Sequence, residues 1–237
     1  MNVAIIPARG GSKRIPRKNL RNFCGQPIIA YSIATALQSG LFEHVVVSTD
    51  DDEIATLARS LGAEVPFVRP EELANDFAGT LAVMGHAAQA CAALGWSVQR
   101  LCCLYATAPF VQSTDLQRGL QALVDTAPNE TVHYAFSATS FAFPVQRAIR
   151  LRTDGSVEPV WPESIPKRSQ DLEPLYHDAG QFYWGSASAF EAGLPLFAAH
   201  SKAVLIPRHR VQDIDDEADW VRAEWLYRAM SGLPASP

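Results

Sequence analysis

The chain has 237 residues, of which 48% are hydrophobic and 19% charged, proportions that are ordinary for a globular protein with a full core. Its formal net charge of -5 argues against a general nucleic-acid-binding protein, whose surface is usually basic over a whole face. No apolar run approaches about 18 uninterrupted residues and no signal-peptide pattern opens the chain, so we expect a cytoplasmic protein with no membrane partner.

A strand followed by a basic loop is the first predicted element. The apolar run at residues 3–6 leads into the basic loop, residues 9–18, which holds Gly10, Gly11 and the cationic side chains of Arg9, Lys13, Arg14, Arg17 and Lys18. Glycines let backbone N–H groups approach an anion, and several cations on one loop neutralise several phosphate charges. Neither a Walker loop nor a Gly-x-Gly-x-x-Gly fingerprint is present. We interpret the segment as a phosphate-binding loop; a solvated basic loop is the alternative.

Predicted strands and helices alternate as far as residue 137. The predicted strands are residues 45–49, 64–68, 101–105 and 132–137. The predicted helices follow Pro27, cover residues 54–61, start at Thr80 as the N-cap, and surround residues 116–124. This rhythm predicts an α/β fold whose sheet is mostly parallel, with helices on both faces. The basic loop, residues 48–51 and Arg69 each follow a strand, so we expect them to face one crevice.

The alternation breaks between about residues 141 and 176. Two apolar segments there flank a hairpin turn signal at residues 152–155, and their composition favours a folded lobe or dimerisation arm over a disordered insert. Strands are predicted to resume at residues 179–185 and 203–206, before a helix whose core stripe is Trp220, Ala223, Tyr227 and Met230. The predicted division is a core of residues 1–140 and 177–237 with an inserted lobe of residues 141–176.

An acidic cluster precedes the last predicted helix. In an extended or turn segment, Asp213 and Asp215 project to the same side and offer two hard oxygen ligands suited to Mg²⁺. Asp216 and Glu217 instead fit the capped start of a helix, and capping is the alternative for the whole cluster. Asp50, after a predicted strand, is either a second candidate ligand or a helix cap. An acidic pair and a basic glycine loop in one α/β domain together suggest nucleotidyl or phosphoryl transfer.

Several segments resemble those of the CMP-sialic acid synthetase family, the cytidylyltransferases that activate nonulosonic acids. The matching segments follow in order and run nearly end to end, at residues 6–19, 69–76, 168–172 and 213–215. Further segments are similar to the branch of this family that acts on pseudaminic acid, at residues 105–110, 143–148 and 176–185. Gly10, Gly11 and residues 177–181 depart from many sialic acid synthetases.

The resemblance implies a three-layer, Rossmann-like nucleotidyltransferase fold with a mostly parallel mixed sheet and a small dimerisation lobe. The implied reaction joins CTP and a nine-carbon 2-keto acid sugar, pseudaminic acid, into CMP-pseudaminic acid and pyrophosphate, for surface or flagellar glycosylation. The resemblance also implies Mg²⁺ bound by Asp213 and Asp215, and a homodimer in which residues 141–176 reach the partner. Open alternatives are another nonulosonate such as sialic or legionaminic acid, a Kdo-type cytidylyltransferase, and a non-catalytic nucleotide-binding subunit.

The same resemblance assigns roles to particular residues. Those implied in catalysis are Arg9, Lys13, Lys18, Asp213 and Asp215. Those implied to bind the nucleotide are Ala8, Arg9, Gly10, Gly11, Ser12, Lys13, Lys18, Asn19, Arg69 and Thr80. Those implied to bind the sugar are Thr107, Arg168, Gln170, His177, Gln181, Phe182 and Tyr183. On the sugar side, an arginine could pair with the substrate carboxylate and aromatic rings could pack on its acyl groups.

Overall fold

Helices and strands alternate through most of the computed structural model, which describes residues 1–75, 77–127 and 131–232. The first elements are β1 (Asn2–Pro7), β2 (Asn22–Phe23), β3 (Gln26–Pro27), α1 (Ile28–Ser39), β4 (His44–Ser48), α2 (Asp52–Ser60), α3 (Thr80–Ala93) and β5 (Arg100–Leu104). They are followed by α4 (Ser113–Val124), β6 (Tyr134–Ser140), β7 (Ile149–Leu151), β8 (Val157–Pro159), β9 (Tyr176–Ser186), α5 (Ala187–Glu191), β10 (Ser201–Leu205) and α6 (Glu217–Ser231). Within these described ranges, no helix combines the length and apolar character needed to cross a bilayer.

A six-stranded sheet in the order β10-β6-β9-β5-β1-β4 forms the centre of the fold. β1 pairs in parallel with β4 and β5, and β10 pairs in parallel with β6. β9 runs antiparallel between β5 and β6. The predicted α/β fold with a mostly parallel mixed sheet is therefore confirmed.

Helices cover both faces of the sheet and produce three layers. α1, α2 and α4 contribute Ile33, Ala58 and Leu116 to the core on one face. α3 and α5 contribute Met84 and Phe190 to the core on the other face. Full burial of a large aliphatic or aromatic side chain contributes about 1.5–3 kcal/mol, so these two cores hold the layers together.

The carboxyl ends of β1, β4 and β5 lie at one edge of the sheet because the three strands are parallel. The basic loop follows β1, residues 49–51 follow β4, and residues 105–110 follow β5. β9 runs the opposite way and therefore begins at this edge, where His177 pairs with Thr139 of β6. Four segments from distant parts of the chain thus meet at one place.

A buried ion pair ties α4 to the segment before α6. Arg210 Nη1 donates to Asp115 Oδ2 at 2.5 Å, its Nη2 donates to Oδ1 at 3.0 Å, and both residues are buried. Asp115 also forms a capping box with Gln112 at the start of α4. Removing one partner of such a pair typically costs about 3–5 kcal/mol, because the other charge is left buried and unpaired. The pair therefore fixes the position from which the chain enters residues 211–216.

Local predictions failed at four places. Residues 64–68 do not form a strand: Glu64 alone bridges Val46, and Pro66 removes a backbone donor two residues later. Thr80 is not the N-cap of α3, which is Gly79. β9 begins at residue 176, earlier than the predicted 179, because its first residues pair with the end of β6. Met230 is exposed, so the buried stripe of α6 does not extend to it.

Residues 141–176 lie outside the main sheet for most of their length. β7 and β8 pair antiparallel around residues 152–155, which confirms the predicted hairpin. Gly155 has φ 83°, a left-handed conformation that suits glycine in a tight turn. Apolar side chains on this segment face solvent in the described subunit, among them Phe143, Leu151 and Val157.

Candidate active site

A cavity of about 590 Å³ opens at the edge where β1, β4 and β5 end. The structure brings together here most of the residues predicted to bind a nucleotide, and the predicted site residues in its lining are Arg9, Ser12, Lys13, Lys18, Asn19, Arg69, Thr80, Thr107 and Asp215. Arg14 lines it as well, so five cationic side chains and one carboxylate stand among the described lining residues. A cleft of this charge concentrates polyanions such as a triphosphate.

Contacts inside and below the basic loop fix its shape. Asn19 Nδ2 donates to the carbonyl of Arg9 at 3.0 Å, and the Lys18 N–H donates to the carbonyl of Ile15 at 3.2 Å. The Ile15 side chain is fully buried in a cluster that includes Trp220 of α6. The middle of the loop is thereby anchored in the core, while the cations before and after it line the cavity.

Gly10 serves a different purpose from the one predicted. Its N–H donates to Asp50 Oδ1 at 3.1 Å, so this donor is directed at a carboxylate and not at the cavity. A Cβ atom on Gly10 would lie 2.5 Å from Asp51 Oδ2, so glycine is needed for the close approach of the loop to the turn after β4. Asp51, and not Asp50, caps α2 by accepting from the N–H groups of Glu53 and Ile54.

Arg69 places a buried positive charge at the cavity. The residue is 4% exposed; its Nε donates to Ser48 Oγ at 3.2 Å and its Nη2 donates to the Ser48 carbonyl. Burial lowers the pKa of its guanidinium to about 10, with the charge of Asp50 acting in the opposite direction. Because the hydrogen-bond acceptors described for it are uncharged, its charge favours an anionic ligand in the cavity.

Asp213 and Asp215 flank the buried Ile214 just before α6. Asp215 accepts from Arg14 Nη2 at 2.8 Å, and Lys18 Nζ donates to the Ile214 carbonyl at 2.6 Å. The side chain of Asp213 keeps contact with solvent, yet partial burial and the nearby charge of Asp215 raise its pKa. Burial likewise lowers the pKa of the Lys18 ammonium, against the attraction of both carboxylates. The two carboxylates therefore lie close enough to repel each other, and Lys18, which also lines the cavity, is the cation that contacts the acidic segment beside Arg14.

A second cavity, of about 510 Å³, lies beside the start of β9. Of the predicted site residues it is lined by His177 and Asp213, and Asp178, Arg208 and Arg222 also face it. The acidic pair thus stands between two cavities, because Asp215 lines the first and Asp213 the second.

Polar side chains of three elements run from the first cavity to the second. Thr80 Oγ1 and the Tyr105 hydroxyl share a hydrogen bond of 2.8 Å, and the Tyr105 ring packs on Tyr183 with centroids 5.4 Å apart. The Tyr183 hydroxyl donates to Asp178 Oδ2 at 2.5 Å. Burial raises the pKa of Tyr105 to about 12, so its hydroxyl keeps its proton at neutral pH and can donate.

Other residues implied by the resemblance do not line either cavity in the described subunit. Phe182 is fully buried in the core covered by α4, so the prediction that its ring packs on a sugar is wrong. Gln181 and Tyr183 are buried in the sheet, and Arg168 pairs with Asp171 on the exposed lobe. The remaining residues of this group are Ala8, Gly10, Gly11 and Gln170. Asp76, part of the predicted motif at residues 69–76, lies outside the described residues.

Comparison with known families accounts for this arrangement. A family model for cytidylyltransferases matches residues 3–191, which include the basic loop, the lobe and β9. The chain belongs to the cytidylyltransferase family. It is therefore a nucleotidyltransferase enzyme, as predicted, and all of the described residues that line the cationic cavity except Asp215 lie within the matched region.

Relatives of this cytidylyltransferase act on acidic sugars. It is 41% identical to a pseudaminic acid cytidylyltransferase of Campylobacter jejuni, over 96% of each chain. It is 30% identical to a CMP-N,N'-diacetyllegionaminic acid synthase of Legionella pneumophila, over 94% of this chain and 95% of the relative. A CMP:2-keto-3-deoxy-manno-octonic acid synthetase complexed with CTP has the same fold, with a TM-score of 0.68, 18% identity and coverage of 97% and 99%. The Rossmann-like nucleotidyltransferase fold is thus confirmed.

Sequence reasoning missed several residues of this cytidylyltransferase that shape the site. Asp178 lies inside a recognised motif, but nothing local indicates that its carboxylate accepts from Tyr183. Arg222 lies on α6, and no local sequence pattern indicates that its side chain lines the second cavity. Asp50 was the candidate cap of α2, but adjacent acids suit the N-cap equally well, and Asp51 holds that position.

We expect Arg69→Met to weaken nucleotide binding while leaving the stability of the ligand-free protein almost unchanged. Methionine fills a similar space without burying a charge, so the free energy of unfolding without ligand should change by less than about 1 kcal/mol. CTP affinity should fall about tenfold or more, because a buried cation no longer faces the anion. Denaturant unfolding and isothermal titration with CTP measure the two effects.

Arg100→Met, at the opposite end of the sheet on β5, is the charge-matched control and should leave CTP affinity unchanged. A large loss of ligand-free stability in Arg69→Met with normal CTP binding would contradict this account of Arg69.

Proposed function

We propose that the protein converts CTP and pseudaminic acid into CMP-pseudaminic acid and pyrophosphate. The observation that supports the proposal best is the cavity that four cations of the basic loop line together with Arg69 and Asp215, in a member of the cytidylyltransferase family. The choice of sugar rests on the Campylobacter jejuni relative, which is 41% identical over 96% of each chain.

The proposed reaction needs alignment and charge neutralisation more than covalent catalysis. The anomeric hydroxyl of the sugar loses its proton to solvent and its oxygen forms a bond to the α-phosphorus, while the bond to the bridging oxygen of the β-phosphate breaks and pyrophosphate leaves with that electron pair. Arg9, Lys13 and Lys18 line the cavity where the triphosphate would lie, so they would neutralise the charge that develops on the leaving group. Removing one such contact typically costs about 2.7–4 kcal/mol of transition-state stabilisation.

The acidic pair fits a divalent cation that also uses substrate oxygens. Among the described residues, no group of three or more His, Cys, Asp or Glu side chains is placed to hold a metal by itself. Mg²⁺ commonly takes one or two carboxylates together with phosphate oxygens, so Asp213 and Asp215 match its preferences. We therefore propose that these two residues hold Mg²⁺, which would act as a Lewis acid and template at the α-phosphate.

The second cavity is the proposed place of the sugar. Asp213 lines this cavity and Asp215 lines the nucleotide cavity, and Arg208 and Arg222 supply positive charge beside His177 and Asp178. A sugar bearing a carboxylate and several hydroxyl groups requires cations together with polar acceptors and donors.

Pyrophosphate release with CTP and Mg²⁺ tests the proposed reaction and its sugar. Purified protein is offered pseudaminic, sialic, legionaminic and Kdo acids in parallel, and we expect release with pseudaminic acid at a much higher kcat/KM than with the others. A higher kcat/KM with legionaminic acid would support the proposed reaction but would assign the sugar that appears in the name of the Legionella pneumophila relative. If the protein binds CTP but releases no pyrophosphate with any of the four acids, the result would favour a non-catalytic nucleotide-binding subunit.

We expect Asp213→Asn and Asp215→Asn each to lower kcat by roughly 100-fold or more, because an amide oxygen holds a divalent cation less strongly than a carboxylate does. Binding of Mn²⁺ in the presence of CTP, followed by electron paramagnetic resonance, should weaken in parallel. Asp216→Asn is the matched control: Asp216 caps α6, and asparagine caps equally well. Normal turnover in both Asp213→Asn and Asp215→Asn would remove the metal assignment.

We also propose that the protein forms a homodimer through residues 141–176. The apolar side chains of Phe143, Leu151 and Val157 are more than half exposed, and apolar groups concentrated on one segment are typical of an interface. In such a dimer Arg168 and Gln170, which line neither cavity of their own subunit, could reach the partner's site.

Light scattering should give twice the subunit mass for the wild-type protein and a single subunit mass for Leu151→Glu, because a charge beside the turn of the hairpin cannot be buried in the interface without a partner. Leu94→Glu, an exposed leucine at the end of α3, is the control and should stay dimeric. A wild-type protein of single-subunit mass at micromolar concentration would overturn the proposal.

A further inference from the structure

Arg17 holds an unusual backbone conformation inside the basic loop. Its φ is 54° and its ψ is 34°, in the left-handed region that favours glycine and asparagine over residues with long side chains. The side chain does not line the nucleotide cavity, unlike its neighbours Lys18 and Asn19. Phosphate contact therefore does not account for an arginine at this position.

The Arg17 side chain is directed at the start of α2. Its Nη1 donates to Asp51 Oδ2 at 2.5 Å, its Nη2 donates to Asp51 Oδ1 at 3.2 Å, and Nη2 also donates to Glu53. Asp51 is itself fixed, because its Oδ1 accepts from the N–H groups of Glu53 and Ile54. The hydrogen bond from Arg17, more than any other contact, lowers the pKa of Asp51.

The other end of the loop is attached to the same turn. Gly10 donates to Asp50 Oδ1, and only a residue without Cβ can lie this close to Asp51. Residues 10 and 17 are thus both held by residues 50–53, on either side of Ser12 and Lys13, which line the cavity. The loop is closed at its base by contacts that leave its cavity-facing side chains uninvolved.

We propose that Arg17 is a positioning residue that closes the basic loop onto the start of α2 and so holds the phosphate-binding side chains in place before the nucleotide arrives. A loop already in its bound conformation loses less conformational freedom on binding, which raises affinity without any new contact. This inference deepens the proposed function and rests on CTP as the substrate.

The test replaces Arg17 by asparagine and, separately, by glycine. Both residues accept a left-handed backbone, so the variants remove the guanidinium without adding strain, and asparagine does so without the added flexibility of glycine. We expect Kd and KM for CTP to rise about tenfold in both variants, while KM for the sugar acid changes less than twofold. Hydrogen exchange of residues 9–18 in the nucleotide-free protein should become faster.

Two further variants sharpen the result. Arg17→Lys keeps the charge but loses the planar fork that binds both oxygens of Asp51, so its KM for CTP should lie between those of wild type and Arg17→Asn. Arg59→Ala removes an arginine that donates to the Val65 carbonyl near the other end of α2 and should leave KM and loop exchange at wild-type values.

Unchanged loop exchange together with unchanged CTP affinity in Arg17→Asn would overturn the proposal, and so would parallel increases in KM for CTP and for the sugar. Because hydrogen exchange needs no substrate, it tests the closure of the loop even where the wild-type protein fails to use CTP. If the proposed function is wrong, the wild-type protein will not bind CTP, and this result does not depend on the Arg17 variants.

Discussion

Repulsion among the cations gathered at one edge of the sheet is the constraint that the surrounding structure must meet. Cations with described partners are held by segments distant in sequence: Arg14 by Asp215, Lys18 by the Ile214 carbonyl, and Arg69 by Ser48. These partners come from β4 and from the segment before α6. A site of this charge therefore exists only once distant parts of the chain have come together, and the buried pair of Asp115 and Arg210 keeps the last of them in position.

Much of the fold could be predicted because its signals are local. The basic loop follows an apolar strand, α2 ends where Gly62 takes φ 90°, and the hairpin of the lobe turns at Gly155 with φ 83°. Each of these depends on a few neighbouring residues and their allowed backbone conformations. The antiparallel direction of β9 has no such signal, because it depends on which strands it meets.

The candidate site could be predicted as a set of residues but not as a set of contacts. Parallel strands bring their carboxyl ends to one edge, so the basic loop and Arg69 were expected to meet, and they do. The partner of Gly10 was not foreseeable, since glycine next to a phosphate and glycine next to a carboxylate look the same in a sequence. Phe182 shows the same limit: alternation places Phe182 and Tyr183 on opposite faces of the strand, and only the packed helices show that both faces are covered.

The central place of β9 has a consequence for synthesis on the ribosome. Strands β1, β4 and β5 can pair as soon as they emerge, but β5 then presents an open edge, since its second neighbour comes from residues 176–186. An unpaired edge of apolar strand is a template for association with other chains. A nascent chain of this protein must therefore protect that edge through the translation of α4, β6 and the whole lobe, which makes this interval the one in which binding by a chaperone would matter most.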